Sequence, residues 1–238
     1  MNTTRMIAQV ACLAVVAIGS SAAMASASYT TVAGNGSKQA QILSEVYGGS
    51  WTASGRNFSN GTITATRVAD AGVSTPSSLT TGVAGTDDVW TGGATVKLTV
   101  GPNNTCDAYL FGYLDDTGNH AFHSLLNTEN TGSMVTTAIP SAFRWALKDV
   151  RGNDIDTSHK ADNNDGCQTY DHLITYKLTG GNCCDQWILF WQDDFGNCKP
   201  ADFDDAVIRI CRPNIPAPGA AVLGFAGLGL LARRRRKA

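Results

Sequence analysis

The sequence predicts an all-β protein, folded as an antiparallel β-sandwich or jelly roll. Three observations support this class. Apolar and polar residues alternate along several short segments, which is the period of a half-buried strand. Clusters of Gly, Asn and Asp separate these segments and are typical of turns. The acidic residues are nearly all Asp, which favours turns and disfavours helices. Many short strands with such spacing are typical of two packed sheets.

The first 27 residues are predicted to be a secretory signal peptide. Arg5 precedes an apolar run from Ile7 to Ile18, and small residues between Ala23 and Ala27 fit A-x-A cleavage. We expect this segment to form an N-terminal signal helix and to engage a Sec-type export machinery. The mature chain would then begin near residue 28.

Residues 28–215 are predicted to form one β-sandwich domain, a length that suits a single hydrophobic core. The segment from Lys38 to Tyr47 has apolar residues at helical spacing, and it is open between a helix and a strand. The stretch from Asp70 to Gly85 is rich in Gly, Ser and Thr. It is predicted to be a long surface loop.

Seven segments of this body are predicted to be strands. Val96, Leu98 and Val100 illustrate the pattern, because they alternate with polar residues and would share one face. In chain order the seven segments cover residues 61–68, 94–100, 108–114, 143–150, 172–178, 187–192 and 206–211.

The cysteines of the body are candidates for disulfide bonds, because an even number in an exported chain is typical of such bonds. The six candidates are Cys106, Cys167, Cys183, Cys184, Cys198 and Cys211. A bond between the neighbours Cys183 and Cys184 would be strained, so it is excluded. The sequence does not distinguish among the remaining pairings.

The charge of the body differs from that of the whole chain. The chain has 18 Lys and Arg residues against 20 Asp and Glu residues, a net charge of −2. Six of the basic residues lie in the two terminal segments, so the body carries a net charge of about −8. This balance leaves no basic face for a nucleic acid, and we expect no nucleic-acid partner.

Two acidic groups are candidate calcium sites. Carboxylates that lie close together repel one another unless a hard cation or hydrogen bonds compensate their charge. The larger group brackets the turn before the last strand and consists of Asp193, Asp194, Asp202, Asp204 and Asp205. The weaker group lies in an oxygen-rich loop and consists of Asp162, Asn164 and Asp165. The alternative for both is a solvated turn, in which Asp and Asn bond their own backbone.

The C-terminal residues 216–238 have a three-part layout. Pro216, Ala217 and Pro218 precede an apolar segment, residues 219–232, which is predicted to be a short hydrophobic helix in the membrane. A basic run follows it, formed by Arg233, Arg234, Arg235, Arg236 and Lys237. Positive charge stays on the cytoplasmic side, so the body is predicted to lie beyond the inner membrane.

This tail resembles the sorting signal of PEP-CTERM proteins, the substrates of exosortases, although Ala217 stands where that family usually has Glu. Four segments of the body also resemble a C-terminal β domain of unknown function that is frequent in such exported proteins. They cover residues 143–147, 171–176, 187–194 and 202–210. That domain carries a W/F-E-D segment and a D-x-D-[FY]-N-D motif. The resemblance matches Asp193 and Asp194 to the first, and Asp202, Asp204 and Asp205 to the second.

The resemblance implies a protein that is anchored in the inner membrane before processing by an exosortase-like enzyme. It would then act at the cell surface or outside the cell, with exopolysaccharide as a candidate partner. We predict a structural or adhesive function; the alternative is a calcium-dependent carbohydrate-binding module. Exposed, coplanar Trp or Tyr side chains near the acidic loops would favour the alternative, and buried ones the structural function.

No catalytic function is predicted, because the sequence contains no G-x-S-x-G, Walker A or G-x-G-x-x-G motif. The two histidines His120 and His123 have the spacing H-x-x-H between possible strands. Residues three apart on a strand point to opposite faces, so we do not expect them to share one metal ion.

Overall fold

The computed structural model describes residues 26–29, 36–102, 108–116, 120–140, 142–151, 154–163, 171–181, 185–192 and 202–212. The predicted terminal helices and the sorting residues of segment 216–238 lie outside these ranges. Within the described ranges, no helix has the length and apolar character needed to cross a membrane.

The described chain is mostly β, as predicted, with one α-helix, α1 (Gly36–Tyr47), and one short 3₁₀ turn (Lys160–Asp162). The strands are β1 (Thr52–Ser54), β2 (Asn57–Ser59), β3 (Ile63–Arg67), β4 (Pro76–Ser78), β5 (Thr86–Thr91), β6 (Thr95–Val100), β7 (Tyr109–Asp115), β8 (Phe122–Asn127), β9 (Met134–Ala138), β10 (Phe143–Asp149), β11 (Ile155–Thr157), β12 (Leu173–Gly180), β13 (Asp185–Trp191) and β14 (Ala206–Cys211).

These strands form two sheets. The first sheet has the order β1-β2-β3-β12-β13-β14-β6-β9 and is antiparallel throughout. The second sheet has the order β4-β5-β10-β7-β8, with β11 added beside β10. Its β4–β5 pair is parallel and its other described pairs are antiparallel. The all-β prediction is confirmed.

Large aromatic side chains fill the space between the two sheets. Trp90 on β5 meets Trp187 on β13, with ring centroids 5.1 Å apart. The ring centroids of Phe111 on β7 and Trp191 on β13 lie 6.3 Å apart. All four side chains are fully buried. The two sheets therefore pack face to face around one core, an arrangement that is consistent with the predicted sandwich.

The helix α1 covers the outer face of the first sheet. Its residues Ile42 and Leu43 are buried and join a second apolar cluster with Phe58, Ile174 and Phe190 of the sheet. The apolar stripe at helical spacing decides the open choice for this segment in favour of a helix. The central strands are consequently buried on both faces, which explains their nearly continuous apolar sequences.

The seven predicted strands are confirmed as β3, β6, β7, β10, β12, β13 and β14. The predicted surface loop from Asp70 to Gly85 is wrong in its centre. There β4 pairs with β5, and Ser77 and Leu79 are fully buried. A strand of three residues is too short to show an alternating pattern, which explains why the sequence did not indicate it.

Candidate functional site

Three of the predicted calcium ligands come together directly before β14. The side-chain oxygens of Asp202, Asp204 and Asp205 lie within 4.8 Å of one another. Asp204 is buried, whereas the other two side chains are partly exposed. Asp193 and Asp194, the remaining members of this predicted group, lie outside the described residues. We refer to Asp202, Asp204 and Asp205 as the triad.

Two glutamines hold the backbone of the triad in place. The Gln192 Oε1 atom, at the end of β13, accepts hydrogen bonds from the backbone N–H groups of Asp202 and Phe203, at 3.1 and 3.0 Å. Gln39 Nε2 on α1 donates to the Asp202 carbonyl oxygen at 3.1 Å. Phe203 has a positive φ of 54°, and its side chain is buried in the apolar cluster that includes Ile42 and Leu43 of α1. The carboxylates are thus presented by an anchored turn.

Lys38 on α1 compensates part of the triad's charge. Its Nζ atom lies 2.7 Å from Asp204 Oδ2 and 3.9 Å from Asp202 Oδ2. The hydrogen bond to Asp204 raises the pKa of Lys38. Burial, together with the hydrogen bond and charge of Asp204, raises the pKa of Asp202. The triad with Lys38 keeps a net negative charge, so it can attract a hard cation, but the ammonium competes for the same oxygens.

A second acidic cluster, absent from the predictions made from the sequence, lies inside the molecule. Its members are Arg67 at the end of β3, Asp70, Asp87 on β5, and Asp171, which precedes β12. All four are buried, and Asp87 is only 1% exposed. Arg67 Nη2 pairs with Asp70 Oδ1 at 2.9 Å. We refer to these four residues as the inner cluster.

The inner cluster lies where the two sheets are joined. Beyond β3, the Val68 N–H group donates to the Thr175 carbonyl oxygen on β12 at 2.9 Å. One residue later, the Ala69 carbonyl oxygen accepts a bond of 3.1 Å from the Asp87 N–H group on β5. The segment after β3 therefore bonds to the first sheet on one side and to the second sheet on the other.

Asp87 is an acid of this cluster whose pKa is strongly shifted. Its pKa lies well above the ordinary value, because burial removes it from water and because Asp171 and Asp70 add negative charge; the charge of Arg67 acts in the opposite direction. One signal in the sequence pointed to the cluster. Arg67 lies on the same buried face of β3 as Ile63 and Ala65. A charged residue on that face needs a buried partner.

The weaker predicted calcium group is only partly described. Asp162 ends the 3₁₀ turn, and its Oδ2 atom accepts hydrogen bonds from Arg144 Nη1 and from the Thr157 hydroxyl group. Asn164 and Asp165 lie outside the described residues. In the described part, Asp162 thus acts as the partner of an arginine.

The histidines take different positions. His123 Nε2 lies 2.8 Å from Asp115 Oδ2, and His120 Nδ1 lies 3.0 Å from the Asp115 carbonyl oxygen. His120 precedes β8 and has a positive φ of 49°, so the argument from strand alternation does not apply to this pair. His172 is fully buried, and its Nδ1 atom lies 2.7 Å from the Gln192 carbonyl oxygen.

Tryptophan burial bears on the two predicted functions. Four tryptophans are fully buried, and the fifth, Trp51, is 9% exposed. The four are Trp90, Trp145, Trp187 and Trp191.

Among the disulfide candidates, Cys211 lies buried on β14, whereas Cys106, Cys167, Cys183, Cys184 and Cys198 lie outside the described residues.

Comparisons of the chain with protein-family models, with curated proteins and with solved structures found no match.

Proposed function

We propose that the chain is an exported, non-enzymatic β-sandwich protein of the cell surface or extracellular matrix, with a structural or adhesive function. The predicted signal peptide and the PEP-CTERM-like tail support export and sorting. Its partners would be the Sec-type machinery, an exosortase-like enzyme, the membrane during sorting, and exopolysaccharide.

The burial of the tryptophans is the observation that carries the structural part of this proposal. Sugar-binding sites use exposed aromatic rings as stacking surfaces. Here the tryptophan rings pack inside the molecule, as in the inter-sheet contact of Trp90 with Trp187. Trp90, Trp145, Trp187 and Trp191 belong to the core between the two sheets and help to hold them together, which suits a module that must keep its shape outside the cell.

The test of the sorting part is the mass of the C-terminal peptide of the protein recovered from its native cells. We expect a chain that ends near Pro216 to Pro218, because a sorting enzyme would cut there. A variant in which Arg233 to Arg236 are replaced by Gln should show less membrane retention and less processing than the native protein. A native chain that still carries the basic run would contradict exosortase processing.

The alternative function is a calcium-dependent carbohydrate-binding module. The mutual distance of the triad oxygens favours calcium as a cofactor, because calcium takes several carboxylate oxygens at once. If the triad binds calcium, removal of calcium should lower the melting temperature of the wild type. It should lower that of the double variant Asp204→Ala with Asp205→Ala by a smaller amount. Equal responses of the two proteins would contradict calcium binding at the triad.

A further inference from the structure

The inner cluster contains buried oxygen atoms that lack hydrogen-bond donors in the described part of the chain. Both carboxylate oxygens of Asp87 have no hydrogen-bond partner there, and neither have Asp70 Oδ2 and the hydroxyl oxygen of Thr175. Thr175 is fully buried on β12 and faces Asp87, although without the geometry of a full hydrogen bond. Buried acceptors without partners are rare and costly, so these oxygens need a compensating group.

The charges of the cluster do not balance. The negative charges of Asp171 and Asp70 both raise the pKa of Asp87, and Arg67 is the positively charged member of the cluster. Arg67 directs Nη2 to Asp70 and Nε to the Val68 carbonyl oxygen, so its bonds leave Asp87 without a donor. An uncompensated buried carboxylate is strongly unfavourable, which indicates that a positive group is needed beside Asp87.

We propose that the inner cluster binds one hard divalent cation, calcium in the first place, through the carboxylate oxygens of Asp70 and Asp87 and the hydroxyl oxygen of Thr175. The available ligand atoms are all oxygen, which suits calcium and not the softer metals that prefer Cys and His. Calcium accepts irregular sets of oxygens, whereas magnesium requires a nearly ideal octahedron and keeps its water.

Such a cation would connect the two sheets. Asp87 belongs to the second sheet, Thr175 to the first, and Asp70 to the segment that joins them. The cation would therefore fix the junction in the same place where the backbone bonds of Val68 and Asp87 already connect it. This role is independent of the triad and of the proposed surface function, since neither uses these residues.

The test is a calcium titration of the full chain after treatment with a chelator, with melting temperature and isothermal calorimetry as measurements. The variant Asp87→Asn keeps the shape of the side chain and removes its charge. The control variant, Asp204→Asn with Asp205→Asn, removes charge from the triad alone. We expect the wild type and the control to be stabilised by calcium at the inner cluster, and Asp87→Asn to bind at least tenfold more weakly there.

A second variant keeps the test decisive if Asp87→Asn does not fold. Thr175→Val is nearly isosteric and removes one proposed ligand, so it should weaken calcium binding while the chain still folds. The proposal is overturned if the control loses all of the calcium response, or if Asp87→Asn and Thr175→Val respond as the wild type does. It is also overturned if the wild type does not respond to calcium; a higher stability of Asp87→Asn would then indicate that a proton on Asp87 replaces the cation.

Discussion

Arg67 and Asp70 form a salt bridge that is buried on both sides. The Nη2 and Oδ1 atoms lie 2.9 Å apart, and only 4% and 8% of the two side chains are exposed. The pair lies where the chain leaves β3 and crosses toward β5. The charge of Arg67 also acts to lower the pKa of Asp87, against the larger effect of burial, so one guanidinium group compensates two buried carboxylates only in part.

Replacement of Arg67 by Met should destabilise the protein strongly. It leaves Asp70 and Asp87 buried without their cation, and breaking a buried pair in this way costs about 3–5 kcal/mol. The measurement is the free energy of unfolding in urea, in the presence of a chelator. Asp70→Asn and the double variant complete a cycle in which the double loss should be smaller than the sum of the single losses. Additive losses would contradict an energetic coupling of the two residues.

The stability of the chelator-treated protein should depend on pH through Asp87. Because its folded pKa is raised, the native state keeps a proton that the unfolded state has already lost. Its contribution to stability therefore falls as the pH rises from the ordinary Asp value, near 4, to the raised folded value. Asp88 and Asp202, whose pKa values burial also raises, act in the same direction.

The variant Asp87→Asn isolates this contribution. The difference in unfolding free energy, wild type minus variant, should fall with rising pH by at most about 1.4 kcal/mol per pH unit. Asp70, Asp171 and Arg67 are present in both proteins, so the difference reports on Asp87. Parallel pH profiles of the two proteins would show that Asp87 does not titrate differently on folding.

Gly112 on β7 should not tolerate a side chain. A Cβ atom at this position would lie 2.0 Å from the His123 carbonyl oxygen on β8, a backbone atom that cannot move alone. Gly112→Ala should therefore separate β7 from β8 beside an existing register shift, with a loss of roughly 2 kcal/mol or more. Thermal unfolding measures the loss. The control is Ser124→Ala, the exposed residue opposite Gly112, which should stay within about 0.5 kcal/mol of the wild type.

The fold could be predicted from the sequence where the signal is local. Val96, Leu98 and Val100 alternate in burial as their pattern predicts. The triad was also accessible, because its three acids lie within four consecutive positions, Asp202 to Asp205. The parallel strand β4 could not be predicted, because its pairing with β5 depends on tertiary contacts and its three residues are too few to show an alternating pattern.

The inner cluster and the Lys38 contact could not be predicted, because they join residues that are distant in the chain. Lys38 and Asp204 are separated by 166 positions. Asp87 meets Thr175 only after β3 has paired with β12 and the next segment has reached β5. A pattern in one segment can show that Arg67 needs a partner, but not which strand supplies it.

Lys38 provides a test of whether the triad is a cation site. Lys38→Met removes the ammonium group that lies 2.7 Å from Asp204 Oδ2. In calcium-free buffer the variant should lose about 1–2 kcal/mol of stability, less than for a fully buried pair because a third of the lysine side chain is exposed. In the presence of calcium the stability of the variant should recover, because three carboxylates without a competing ammonium group bind the ion more tightly.

The experiment is best done in the Asp87→Asn background, where the inner cluster does not contribute to the calcium response. Lys38→Arg is the matched control, since it keeps the positive charge on α1 and should behave like the parent protein. If Lys38→Met gains no calcium affinity, the triad is no cation site. The lysine is then its permanent counter-ion, and the contact serves to hold α1 on the sheet, as the hydrogen bond from Gln39 to the Asp202 carbonyl oxygen also does.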